Sequence, residues 1–217
     1  MGRQGRSAVN QPATQRARLL SIRAFPSLAA ALMAALAAGC GTAIHDETAW
    51  ARVDRVAAML DADPALLEAT NALGKTPLHI AMTSGSPEMI ALLINRGANV
   101  NAADNTGLTP LHIAAWYTKT ATAGQVLDAG ADIDARDQFG DTPLHVAAAN
   151  GRLAMCQFLV ERGADPLSRN VRGLTPQDVA EGQRQARAAK LMALLAKRAG
   201  FPRPAGAGGN TPRGPGA

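Results

Sequence analysis

Histidines in a fixed pattern suggest metal ligation or proton transfer, because imidazole is a common metal ligand and titrates near neutrality. His79, His112 and His145 stand 33 residues apart, each in the frame Thr-Pro-Leu-His. Other groups with chemical potential are Cys40 and Cys156, and the acidic stretch "GADIDARD", which holds Asp132, Asp134 and Asp137. That stretch lacks the central Gly and terminal Glu of a helix-flanked calcium loop, so its carboxylates read as solvated loop charges. Ser27, Ser84 and Ser168 have no motif context, and no glycine-rich phosphate loop opens a helix after a strand. No enzyme is expected, and no cofactor. Two cysteines do not make a disulfide framework, and Cys156, within "LAMCQFLV", reads as a small buried hydrophobe.

The histidines belong to a longer repeat. Gly74, Gly107, Gly140 and Gly173 begin "GKTPLHIA", "GLTPLHIA", "GDTPLHVA" and "GLTPQDVA", and three of the units continue to "RGAN", "AGAD" and "RGAD". In each start, Thr followed by Pro supplies a hydroxyl N-cap and a first-turn proline, which predicts a short helix. Gly85 and Gly151 end that helix. A second helix follows in "SPEMIALLINRG" and "RLAMCQFLVERG", closed by Gly97 and Gly163. Between units, "NALG", "DNTG", "DQFG" and "NVRG" carry Asn or Asp first and Gly fourth, the preference of a type I turn. One helix pair cannot cover its own apolar face, so the units must stack into a solenoid.

These residues resemble the ankyrin repeat, in its period and its T-P-L-H-x-A signature. The resemblance extends over residues 42–199 and implies an all-α solenoid of helix-turn-helix units joined by projecting, β-hairpin-like loops. Its units are a capping repeat at 42–73, repeats at 74–106, 107–139 and 140–172, and a C-terminal capping repeat at 173–199. The first unit lacks the TPLH start but keeps a second-helix pattern at Val53, Val56, Met59 and Leu60, with Trp50 expected to pack in its first helix. In the last, Gln177 and Asp178 replace Leu and His. Residues 200–217, rich in Pro and Gly without periodicity, read as a disordered tail. The resemblance also implies that each repeated His bonds its own Thr and neighbouring backbone. A shared metal is opposed by geometry, since stacked helices lie roughly 8–10 Å apart and zinc holds nitrogens at about 2.0–2.1 Å.

Partners of ankyrin repeats are recognised by loop tips and the exposed end of the first helix. Carried over unit by unit, that pattern implies a partner-binding set of Leu73, Lys75, Leu108, Trp116, Tyr117, Arg136, Gln138, Phe139, Asp141 and Arg172. Aromatics make up only 3% of the chain, yet three of them fall in this set. Trp, Tyr and Arg are the side chains that dominate interface energetics, which points to a centre at Leu108, Trp116, Tyr117, Arg136 and Phe139. A second reading has Trp116 filling space between repeats. The helix behind it, in "KTATAGQVLDAG", carries Thr120, Thr122 and Gln125 where the next unit has Leu153, Met155 and Phe158.

The formal net charge is +5, but Arg3, Arg6, Arg16, Arg18 and Arg23 are the only charged residues before Cys40. Of the 22 basic residues these five leave 17, against 17 acidic ones, so the remainder is neutral and a nucleic-acid partner is not expected. A basic flank, an apolar run over 24–39 and then small residues read as an export signal at 1–39. The run contains Pro26 and Ser27 and falls short of the roughly 20 residues a spanning helix requires. "LAAGC" resembles a bacterial lipobox, with Ala37 where Leu is commonest, which implies lipidation of Cys40. Gly41 rather than Asp after the cysteine implies the outer over the inner membrane. Simple secretion, with cleavage after Ala35-Leu36-Ala37, is the competing reading. The functional expectation is a monomeric, non-enzymatic protein-binding module, lipid-anchored on the periplasmic face of the envelope. The alternative is a cytosolic or secreted scaffold for host or several cellular proteins.

Overall fold

The computed structural model describes residues 43–117 and 119–198; the segment 1–39 read as an export signal, Cys40 and the segment 200–217 read as a disordered tail lie outside them. Ten α-helices and one 3₁₀ turn occur among the described residues, with no strand. They pair as α1 (Ala43–Ala49) with α2 (Val53–Ala62), α3 (Pro77–Ser84) with α4 (Pro87–Asn95), and α5 (Pro110–Tyr117) with α6 (Thr120–Asp128). The remaining pairs are α7 (Pro143–Ala149) with α8 (Leu153–Glu161), and α9 (Pro176–Gly182) with α10 (Ala186–Arg198). The 3₁₀ turn, Pro64–Glu68, follows α2. First helices pack in the order α1, α3, α5, α7, α9 and second helices in the order α2, α4, α6, α8, α10, giving two layers. The core runs between the layers. In one unit it is built from Leu78, Ala81 and Met82 of α3 against Met89, Ile90 and Leu93 of α4, all fully buried.

Each first helix starts on the same device. Nδ1 of His79 accepts from the Thr76 backbone N–H at 3.2 Å and the Thr76 hydroxyl at 2.9 Å, satisfying donors at the helix N-terminus. His112 does this for Thr109 and His145 for Thr142. The other ring nitrogen faces the next unit: Nε2 lies 2.9 Å from the Leu108 carbonyl for His79, 3.1 Å from that of Asp141 for His112, and 3.0 Å from that of Leu174 for His145. A carbonyl can only accept. Nε2 must therefore carry the proton and Nδ1 must not.

The same carbonyls close the hairpin-like loops. Leu108 O accepts from Asp104 N–H and Asp141 O from Asp137 N–H, so both lone pairs of each oxygen are used. Within each loop, the side chain of Asn71, Asp104, Asp137 or Asn170 accepts from the amides two and four residues on, which fixes the turn. Burial works against ionisation of Asp104, but the Thr106 hydroxyl and the amides of Thr106 and Leu108 outweigh it and hold its carboxyl below the usual range. Successive tips join through their backbones, from Asn105 N–H to Leu73 O, Gln138 N–H to Thr106 O and Val171 N–H to Phe139 O. Gly107 is required twice over: its φ is +81°, and a Cβ there would lie 2.8 Å from the Gln138 amide nitrogen that makes this bond.

The two ends differ from the middle in an orderly way. His45, 34 residues before His79, places Nε2 2.8 Å from Lys75 O, so the first unit is stitched to the second by the same bond. The signal for it, Thr42-x-x-His45, stands in the sequence without the proline. In the last unit Asp178 accepts from the Thr175 N–H and hydroxyl at 2.9 and 2.8 Å, which does the work of Nδ1. A carboxylate has no donor for an onward bond, so only the capping half of the device is kept. Trp50 departs from the sequence expectation. It follows the last residue of α1, in a turn completed by Ala51 at φ +53°, and is 75% exposed rather than packed.

Burial pushes the imidazoles of His79, His112 and His145 below their ordinary value of 6.5, against the opposing pull of the accepting carbonyls. The folded state thus favours the neutral ring. Above about pH 6.5 both states are neutral and stability is complete; below it the unfolded chain binds protons that the folded chain does not, and stability falls until the folded rings titrate. Urea denaturation across pH 7 to 4.5 should show a loss of up to about 1.4 kcal/mol per pH unit for each of the three histidines. His112→Ala, which orphans the Thr109 amide and one lone pair of Asp141 O, should cost about 3 kcal/mol and flatten that dependence.

Candidate partner-binding groove

The cap and stitch described above consume the invariant positions of each unit and leave its variable ones outside. On one face these, together with the ring of His112, line a groove of about 480 Å³. Trp116 and Tyr117 come from the end of α5, Leu108 and Thr106 from the loop before it, and Gln138, Phe139 and Asp141 from the next loop. Lys75 and Thr83 of the preceding unit and Ala149 and Asn150 of the following one complete its ends. Trp116, Tyr117 and Phe139 are 51%, 46% and 55% exposed. Three large rings half open to water in an aromatic-poor chain are the most conspicuous apolar feature of this surface.

Seven of the ten residues assigned from the sequence meet here: Lys75, Leu108, Trp116, Tyr117, Gln138, Phe139 and Asp141. Leu73 and Arg172 stand exposed on other loops, outside the groove lining. Arg136 is committed to the scaffold rather than to the centre of a contact patch. Its guanidinium donates to Gly140 O at 3.0 Å, Arg169 O at 2.7 Å and the Ser168 hydroxyl at 2.9 Å, tying one loop to the next. Ile113 and Val146 line the groove without having been singled out in the sequence, and Asp137, expected there as a solvated loop charge, lines it half-buried. The first two follow a repeated His, where an aliphatic residue in every unit reads as core.

The groove walls are held from outside. Arg152 Nε donates to Trp116 O at 3.0 Å and so caps the C-terminal end of α5 from the next unit. Lys119 donates to Thr83 O at 2.7 Å with its ammonium 5.7 Å from the Tyr117 ring centroid, and burial lowers its pKa. Asp137 Oδ1 accepts from the amides of Phe139 and Asp141, and Asp141 Oδ1 accepts from Asn170 Nδ2 at 2.6 Å. Neither carboxylate is in an ion pair among the described residues. Cys156 is fully buried in α8, and that burial pushes its thiol up to about 12, which makes it inert.

A two-layer helical solenoid with variable side chains on one concave face defines a class of interaction module. Family models for ankyrin repeats match residues 52–137 (three copies) and 126–180 (many copies), together more than half of the chain. The chain belongs to the ankyrin repeat family, and is a protein–protein interaction module. A comparison with curated proteins returned no match.

The side chain nearest Gly124 of the weak helix α6 is Phe158 of the next unit. A Cβ added to Gly124 would lie 3.8 Å from Phe158 Cζ, an ordinary contact. Gly124→Ala should accordingly raise stability by about 1 kcal/mol through helix propensity. Trp116→Ala should cost only about 1 kcal/mol, against about 3 kcal/mol for truncating fully buried Leu111. Chemical denaturation of the three variants checks both statements.

Proposed function

We propose that this protein is a lipid-anchored module of the bacterial envelope that captures a protein partner in the groove around Trp116, Tyr117 and Phe139. The partner is an envelope or exported protein, which the module sequesters or protects in the manner of an immunity protein or an accessory to an exported enzyme. The observation that carries this reading is the concentration of exposed aromatic surface in one groove, where interface energy is characteristically focused. The anchor rests on the sequence around Cys40, which lies outside the described residues. With a diacylated Cys40 on the periplasmic face of the outer membrane, the solenoid would begin within a few residues of the bilayer.

One experiment addresses both parts. Full-length protein, Trp116→Ala/Tyr117→Ala and Cys40→Ser would be expressed in a bacterial host, fractionated, and used to capture cross-linked envelope proteins. The aromatic variant should remain in the membrane fraction but lose at least about tenfold of captured partner, the equivalent of 1.4 kcal/mol. Cys40→Ser should leave the membrane fraction while its purified form keeps capture. Undiminished capture by the aromatic variant, or membrane retention of Cys40→Ser, would contradict the respective part.

A further inference from the structure

The groove is not uniformly apolar. Among its aromatic walls stand Asp137 and Asp141, both half-buried, and Lys75 is the only lysine or arginine among the described lining residues, which also include the ring of His112. Cations of the surrounding segments are engaged elsewhere: Arg136 on Gly140 O of its own loop and on Arg169 O and the Ser168 hydroxyl of the next, Lys119 on Thr83 O, and Arg152 on Trp116 O. Each carboxylate uses Oδ1 internally, and its second oxygen has no hydrogen-bond partner among the described residues. Half-buried carboxylates in a groove lined by aromatic rings suit one side chain above others. A guanidinium can bond a carboxylate through its planar fork and at the same time lay its face on an aromatic ring, whereas an ammonium makes only the point-charge contact.

We propose that the partner enters this groove as an extended segment presenting an arginine to Asp137 and Asp141, with flanking aliphatic or proline residues on Trp116, Tyr117 and Phe139. This rests on the groove being the partner surface and adds the chemistry that selects the partner. An acidic segment is disfavoured by the same two charges.

The charge can be removed without disturbing the scaffold. Asn already occupies the equivalent of Asp137 at Asn71 and Asn170, where its side chain makes the same two turn bonds. Asp141→Asn keeps an oxygen for Asn170 Nδ2. The test is selection of a random peptide library displayed on phage against the full chain, followed by titration of the selected peptides into Asp137→Asn/Asp141→Asn and Trp116→Ala/Tyr117→Ala. The expected result is enrichment of arginine beside proline or aliphatic residues, with affinity reduced at least about tenfold by either double substitution and weakened by salt. Peptides that depend on Trp116 and Tyr117 but lack a basic residue would overturn the arginine proposal and leave the groove reading standing. Peptides indifferent to both double substitutions, or no enrichment, would overturn the two together.

Discussion

A neutral imidazole with its proton on Nε2 is the constraint on which the rest of this solenoid depends. One ring performs two tasks at opposite edges, accepting from the threonine that starts its own helix and donating to the carbonyl that closes the next loop. Protonation of Nδ1 would set an N–H against the threonine amide and abolish the first task. The stitch repeats from His45 through His145 and stops at Asp178, which retains only the capping half. Stability of a linear array is carried by units and their nearest-neighbour interfaces. The histidines contribute to both terms at once.

Because the stitch, the loop amides and the Arg136 bracket use backbone groups and a few fixed side chains, neighbouring positions are released from any structural duty. Trp116, Tyr117 and Phe139 stand half-exposed on held supports: Arg152 caps the helix under the first two, and the loop-to-loop backbone bonds hold the third. A preorganised aromatic surface loses little freedom on binding. Asp137 shows the two roles meeting in one side chain, since its Oδ1 builds the turn while the residue lines the groove with no ion pair among the described residues. Exposed apolar area and unpaired charge, costly in an isolated monomer, are consistent with a surface meant to be covered.

The repeating part of this architecture was legible in the sequence because its causes are local. Thr-Pro starts, glycine stops and the Asn or Asp turn residues each act within four positions of themselves. The groove was legible as far as it follows from register, which brought seven of ten assigned residues together. The misses come from partners remote in sequence. Arg136 finds its acceptors at Ser168 and Arg169, some thirty residues on, and nothing near it announces them. Phe158 approaches Gly124 across a unit boundary, a contact that the local sequence of the thin helix does not announce. Trp50 looked like core by residue type, yet it falls one position beyond α1, in a turn that carries its side chain outward. His45 was missed for the opposite reason, since the Thr-x-x-His spacing was present and only the proline was gone.

The most direct test of the account is ¹⁵N NMR of the imidazole rings in the folded chain between pH 7.5 and 4.5. His79, His112 and His145 should each show the Nε2–H tautomer at neutral pH and stay neutral through pH 6.5 for as long as the protein remains folded. Rings that carry the proton on Nδ1, or that titrate near 6.5 with the fold intact, would contradict the stitch and with it the structural basis of the groove.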